Sequence, residues 1–205
     1  MNIKDVTIDH GQYISRDRLD VVFEKQDELR VAYKVPLLDL DVPSHQSLAR
    51  EFAWNVTEEI GEVLEVEYGS KDADHIIDEV ADAFSFYIEL MIMCGIAPSD
   101  LEHPTLTSGD KLENWFRDSV GNTMNLREAH SMFMERLSLS INRLKNRKWR
   151  QTNVHTNRFL FKKDLVESFG FFIAVCSKVG IDSHMLFDGY LRKHEVNKFR
   201  IRSKY

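Results

Sequence analysis

EEIGE at residues 58–62 and DEVAD at residues 78–82 each carry two carboxylates three positions apart, Glu59 with Glu62 and Glu79 with Asp82, and sixteen residues separate the pairs. In a helix, positions i and i+3 project from the same side, so each pair offers two carboxylates to one point in space. Two such helices packed antiparallel would bring all four together. Mg²⁺, a hard cation, takes oxygen ligands of this kind together with water and phosphate.

The neighbours of the second pair sharpen the reading. On a helix over residues 75–93, Glu79 shares a face with Ile76, Ala83, Phe86 and Leu90, the spacing of a core stripe. An ionised carboxylate there is costly unless it is paired, hydrogen-bonded or bound to metal. Glu59 and Glu62 lie at the edge of a stripe made by Phe52, Val56, Ile60, Val63 and Leu64, whereas Glu51, Glu58 and Glu65 fall on the opposite, wet side. An acidic pair alone also suits a solvated helix face. Two pairs, one of them on an apolar face, point to a divalent metal.

The 205 residues, 43% hydrophobic and 29% charged, suffice for one substantial core. The longest apolar run, near Met91–Ile96, is far too short to cross a membrane, and the N-terminal MNIKDVTIDHG is too polar for a secretory signal. A cytoplasmic location without a membrane partner is the expectation. Cys94 and Cys176, both in apolar helical contexts, suit reduced buried thiols. A formal charge of −6 argues against a stable nucleic-acid partner. Basic residues nevertheless cluster at Arg143, Lys145, Arg147, Lys148 and Arg150, and again at Lys193, Lys198, Arg200, Arg202 and Lys204. Each cluster suits either a solvated face or a phosphate grip.

Four prolines, nine glycines and helical periodicity in most long windows predict an all-α chain. Helices are expected near residues 17–32, 46–66, 73–95, 126–146, 162–179 and 183–199, with loops at Asp41–Ser44 and His103–Asp110. A shift of 85 residues lays Glu79, Phe84, Phe86, Ile88, Gly95, Ile96 and Leu101 on Asp164, Phe169, Phe171, Ile173, Gly180, Ile181 and Leu186. Both copies read as a helix closed by Gly-Ile, so the fold expected is a pseudo-symmetric helical bundle. Asp164 and Glu167 repeat Glu79 and Asp82, but Leu144 and Arg147 stand where Glu59 and Glu62 would recur. The metal site is therefore expected in the first copy, with Asp164 and Glu167 as candidate supporting groups. Residues 103–158 hold Trp115, Phe116, Met132, Phe133, Met134 and Leu137, enough for an inserted, mobile helical subdomain, with residues 1–102 and 159–205 forming a rigid core.

The ExxE and ExxD pairs resemble those of the all-α NTP pyrophosphatases, the group containing MazG and the dimeric dUTPases. The ending YLRKHEVNKFRIRSKY, residues 190–205, is similar to the dUTPase ending at Tyr190, Lys193, Asn197, Arg200 and Tyr205. Gln26 in FEKQDELR matches the glutamine of the first dUTPase motif, and the segment between the repeats resembles the inserted region of dimeric dUTPases. Departures stand at Arg30 and Ala174, where the family carries asparagine, at Ser85, where it carries histidine, and at Ile201 and Lys204.

The resemblance implies Mg²⁺-dependent hydrolysis of a deoxyribonucleoside triphosphate to the monophosphate and pyrophosphate by a homodimer. Glu59, Glu62, Glu79 and Asp82 would hold the metal, with Glu59 or Glu62 as general base. Tyr190, Lys193, Asn197 and Arg200 would bind phosphate, and Gln26 the base; apart from the resemblance, Trp54, five residues before Glu59, is a candidate either to stack on the base or to join the core. dUTP is the first substrate expected, with dCTP or another dNTP next. A noncatalytic helical dimer that binds a nucleotide or a protein partner is the competing reading.

Overall fold

The structure of this protein is a computed structural model, which describes residues 6–120, 123–147 and 149–203. Lys148, Lys204 and Tyr205 lie outside the described residues. The described chain is all-helical: α1 (Arg18–Ala32), α2 (Pro43–Tyr68), α3 (Ala73–Met93), α4 (Lys111–Val120), α5 (Leu126–Arg143), α6 (Arg158–Lys178) and α7 (Ser183–Ser203). Six of these coincide with the helices expected from periodicity. The seventh, α4, occupies part of the segment expected only to contain helix.

Polar side chains start the helices. Asp17 accepts from the amides of Leu19 and Asp20 at the head of α1, and Asp72 does the same for Asp74 and His75 at the head of α3. Asn125 and Glu128 close a reciprocal capping box on α5. Pro43 opens α2, where its missing N–H costs nothing. At the far ends the two repeats terminate alike. Gly95 and Gly180 have φ of 71° and 84°, and the following amides, of Ile96 and Ile181, donate five residues back to Met91 and Cys176 at 2.9 and 3.0 Å.

Two helix pairs, α2 with α3 and α5 with α6, make the most extensive interfaces and form the halves of the bundle. Their phenylalanines meet between the halves: Phe84 stacks on Phe172 at 5.9 Å, and Tyr87 lies 5.3 Å from Phe172. The buried Tyr87 hydroxyl donates to Leu165 O at 2.9 Å and also contacts Ser168 Oγ. Between the repeats, Leu112, Phe116, Phe133 and Leu137 join the same hydrophobic cluster as Val56, Ile60 and Phe84. Trp115 ties α4 down by donating to Leu101 O at 2.7 Å, and its ring packs against α6 at Gly170. Helix α7 packs on α1 and α3, which brings its C-terminal half against the carboxylates of α3.

Cys94 and Cys176 are free and buried, and burial pushes the Cys94 thiol up to about 12. Among the described residues no helix is long and apolar enough to cross a membrane.

Candidate active site

The stripe of Val56, Ile60 and Val63 fixes the rotation of α2, and Ile76, Val80, Ala83 and Leu90 fix that of α3. With those faces buried, Glu59 of α2 and Glu79 and Asp82 of α3 converge. Each contributes a carboxylate oxygen to a group whose members lie within 4.8 Å of one another. Glu62, one turn beyond Glu59, is exposed and stands outside this trio. Glu51, Glu58 and Glu65 are on the exposed side.

The trio is electrostatically strained. Burial, then Asp82, Glu62 and Glu79, push Glu59 up to about 7, with Lys193 opposing. Burial and Glu62 raise Glu79, against a hydrogen bond of 2.7 Å from His75 Nε2. Burial also raises Asp82, against the Lys193 ammonium that pairs with its Oδ2. Converging carboxylates that resist ionisation are the environment a divalent cation relieves, and the all-oxygen donor set suits hard Mg²⁺.

A cavity of about 500 Å³ opens beside the trio. Glu59, Asp82, Lys193, Asn197 and Arg200 line one part of it, and Leu29, Tyr33, Val35, Phe52 and Phe86 supply apolar wall. Gln26, Arg30, Ser85 and Glu89 complete the lining. Lys193, Asn197 and Arg200 share one face of α7 through their i, i+4 and i+7 spacing. Lys198 instead pairs with Glu195 at 3.5 Å, and Arg202 Nε donates to Lys198 O.

Besides Glu62, two residues sit elsewhere than the sequence suggested. Tyr190, expected at a phosphate, is fully buried, and its hydroxyl is directed at Val22 O and Gln26 Oε1, both at 3.1 Å. It belongs to the inward stripe of α7 with Leu186, Phe187 and Leu191, and positions Gln26. Trp54, expected on a base, is 62% exposed and lines a separate cavity with Arg50, Met134 and Arg147. Five residues on a helix carry it roughly 140° around from Glu59.

The second repeat has closed its own acidic pair. On α6, Asp164 accepts from Arg143 Nε at 2.8 Å and Glu167 from Arg136 at 3.0 Å, both arginines coming from α5. The partner helix of the second repeat thus supplies arginines to its acidic pair, whereas that of the first supplies a glutamate. Asp164 and Glu167 are engaged by cations on the α5–α6 half, Glu167 by Lys163 at 3.7 Å as well.

Glu89 escaped the sequence reading. It is 3% exposed, its Oε2 accepts from Gln26 Nε2 at 2.8 Å, and burial pushes it up to about 7. A lone acid inside the apolar run FYIELMIM was its signal.

A sequence profile of the dUTPase family matches residues 19–205. No curated protein and no solved structure matches the chain significantly.

Proposed function

The chain belongs to the dUTPase family over residues 19–205, and from that premise we propose that it is a Mg²⁺-dependent pyrophosphohydrolase that converts a pyrimidine dNTP to dNMP and pyrophosphate. The observation that carries the reading is one cavity in which Glu59 and Asp82 of the acidic trio, a cationic helix face and an apolar, amide-bearing wall meet. Those are the counterparts of metal, phosphates and base.

In this reading Glu59, Glu79 and Asp82 hold Mg²⁺, which when bound neutralises phosphate oxygens and activates water. Lys193 and Arg200 take the remaining phosphate charge, Lys as a point charge and Arg as a planar fork, while Asn197 holds Arg200 through its Oδ1 at 3.4 Å. Glu62 is one turn from Glu59 and not drawn into the trio, so it is the carboxylate free to accept the proton of the attacking water. Gln26, fixed by Tyr190 and Glu89, faces the base with its remaining amide hydrogen. Phe52 and Phe86, 6.2 Å apart, supply the apolar surface. The same reading includes a homodimer, to be tested by sedimentation, and a reducing cytoplasm that suits the two free thiols.

The experiment is pyrophosphate release from dUTP, dCTP, dTTP and the purine dNTPs with Mg²⁺, for wild type, Glu79→Gln and Glu62→Gln. Metal-dependent turnover of a pyrimidine dNTP is expected. Glu79→Gln should weaken Mg²⁺ binding, whereas Glu62→Gln should lower kcat by about 10²- to 10⁴-fold, the scale of general-base catalysis, with metal affinity kept. Nucleotide binding without turnover of any dNTP would favour the noncatalytic binder.

A further inference from the structure

Glu89 is a carboxylate in the cavity that the hydrolytic chemistry does not use. It lies on α3 seven residues beyond Asp82, ~10.5 Å along the axis, a distance suited to the span between a nucleoside's phosphate and the far edge of its base. One of its oxygens is already satisfied, since Oε2 accepts from Gln26 Nε2. The other, Oε1, is buried and has no hydrogen-bond partner among the described residues. Gln26 cannot turn to serve it, because Gln26 Oε1 is held by the Tyr190 hydroxyl. Glu89 lines the cavity, and once it is ionised its unpaired buried oxygen is destabilising, a cost that a ligand donating to it relieves.

The chemistry of that ligand follows from what lies beside Oε1. Ser85, one turn earlier on the same face of α3, also lines the cavity, and its hydroxyl hydrogen is committed to Ala81 O at 2.8 Å. Ser85 therefore has only lone pairs to offer a ligand. Glu89 and Ser85, four residues apart, line the same cavity, with Gln26 and its remaining amide hydrogen beside them. The 4-amino group of cytosine carries two N–H donors for such a pair, and its ring nitrogen and 2-oxo group accept from an amide. Uracil could place its single N3–H on Glu89, but its flanking carbonyls would then meet the carboxylate and the Ser85 oxygen.

We propose that Glu89 and Ser85 read the exocyclic amine of the base, so that the cavity selects the cytosine nucleotide over the uracil nucleotide. The inference rests on the assignment of the cavity to a dNTP and refines it. It places the specificity of this chain on two residues of α3, of which Ser85 is one of its departures from the dUTPase pattern.

The test is equilibrium binding of α,β-imido-dCTP, α,β-imido-dUTP and α,β-imido-dATP with Mg²⁺ by calorimetry, at about pH 8.5, where Glu89 is ionised. Wild type should bind the dCTP analogue at least ~10-fold more tightly than the dUTP analogue, the scale of one buried polar contact. Glu89→Gln, which gives the wall an N–H donor, should shrink that ratio by about 10-fold, and Ser85→Ala should shrink it less. A wild-type preference for the uracil or adenine analogue overturns the inference without reference to any variant. A cytosine preference that neither substitution moves overturns it as well. Pyrophosphate release separates the two proposals. Turnover with a Glu89-independent base ratio leaves the hydrolase standing and removes the base reading. A Glu89-dependent binding preference without turnover does the reverse.

Discussion

Lys193 and Lys198 are five residues apart on one helix and have the same charge, yet the fold gives them different work. Lys193 pairs with Asp82 and lines the cavity, whereas Lys198 pairs with Glu195 at an exposed site. Lys193→Ala and Arg200→Ala are each expected to reduce kcat/KM by about 1.5 to 3 kcal/mol, the scale of a charge-assisted hydrogen bond. Lys198→Ala should change it by less than about 0.5 kcal/mol at the same salt and Mg²⁺. Comparable losses from all three would reduce the segment to general surface charge. Glu89 allows a second test at this scale. Burial raises its carboxyl from the ordinary 4.5 to about 7, so the folded state holds a proton that the unfolded state has released. An acid raised in this way contributes stability that is present below about 4.5 and lost as pH rises through about 7. Relative to Glu89→Gln, wild type should therefore lose up to about 3 kcal/mol between pH 5 and pH 8.5, measured by urea denaturation in EDTA. A flat difference would mean that Glu89 is solvated. The acidic trio was legible because carboxylates at i and i+3 on amphipathic helices leave little geometric freedom. Tyr190 and Trp54 were not, because their residue types suit core and binding roles alike, and only packing fixes the direction of each side chain.

At the scale of elements, the repeat made most of the bundle readable. Gly95 and Gly180 end α3 and α6 with the same left-handed turn, and open space surrounds the position of an added Cβ at both. Their substitution by alanine thus tests backbone conformation alone. Each change should cost about 1 to 2 kcal/mol, and the two should be additive within about 0.5 kcal/mol. Gly170 is a different case. A Cβ there would stand 2.8 Å from Cζ3 of Trp115, so Gly170→Ala should separate α4 from α6 and cost about 1 to 3 kcal/mol despite the better helix propensity. In a Trp115→Ala background most of that cost should vanish. If it persists, the clash is not its source. Helix α4 was hidden in the sequence for a related reason. Its ten residues are amphipathic but too short a stretch to be separated from the surrounding loop, and it is held by contacts from outside the helix: Trp115 to Leu101 O, Asn114 Nδ2 to Leu106 O, and Arg18 to Asp110 and Glu113.

For the molecule as a whole, the first repeat is open and acidic and the second is closed by arginine, so a cation stabilises one half only. A chain of formal charge −6 that gathers three carboxylates within 4.8 Å of one another is destabilised by their mutual repulsion, and Mg²⁺ that binds only the folded state offsets it. At a Mg²⁺ concentration 100 times its dissociation constant, the free energy of unfolding should rise by about 2.7 kcal/mol. Sodium at equal ionic strength should not reproduce the gain, since screening acts on exposed charges and not on a coordination site. Glu59 adds a pH signature. Its carboxyl stands at about 7 in the metal-free protein and must be ionised to bind a cation, so Mg²⁺ binding near neutral pH should release a proton. Affinity should accordingly weaken as pH falls below about 7. Calorimetry in two buffers of different ionisation enthalpy measures the release directly, and Glu59→Gln should abolish it. In Asp82→Asn, Mg²⁺ stabilisation should be largely lost. If that variant gains as much stability from Mg²⁺ as wild type does, the cation binds elsewhere, and the convergence of α2 and α3 reflects packing alone.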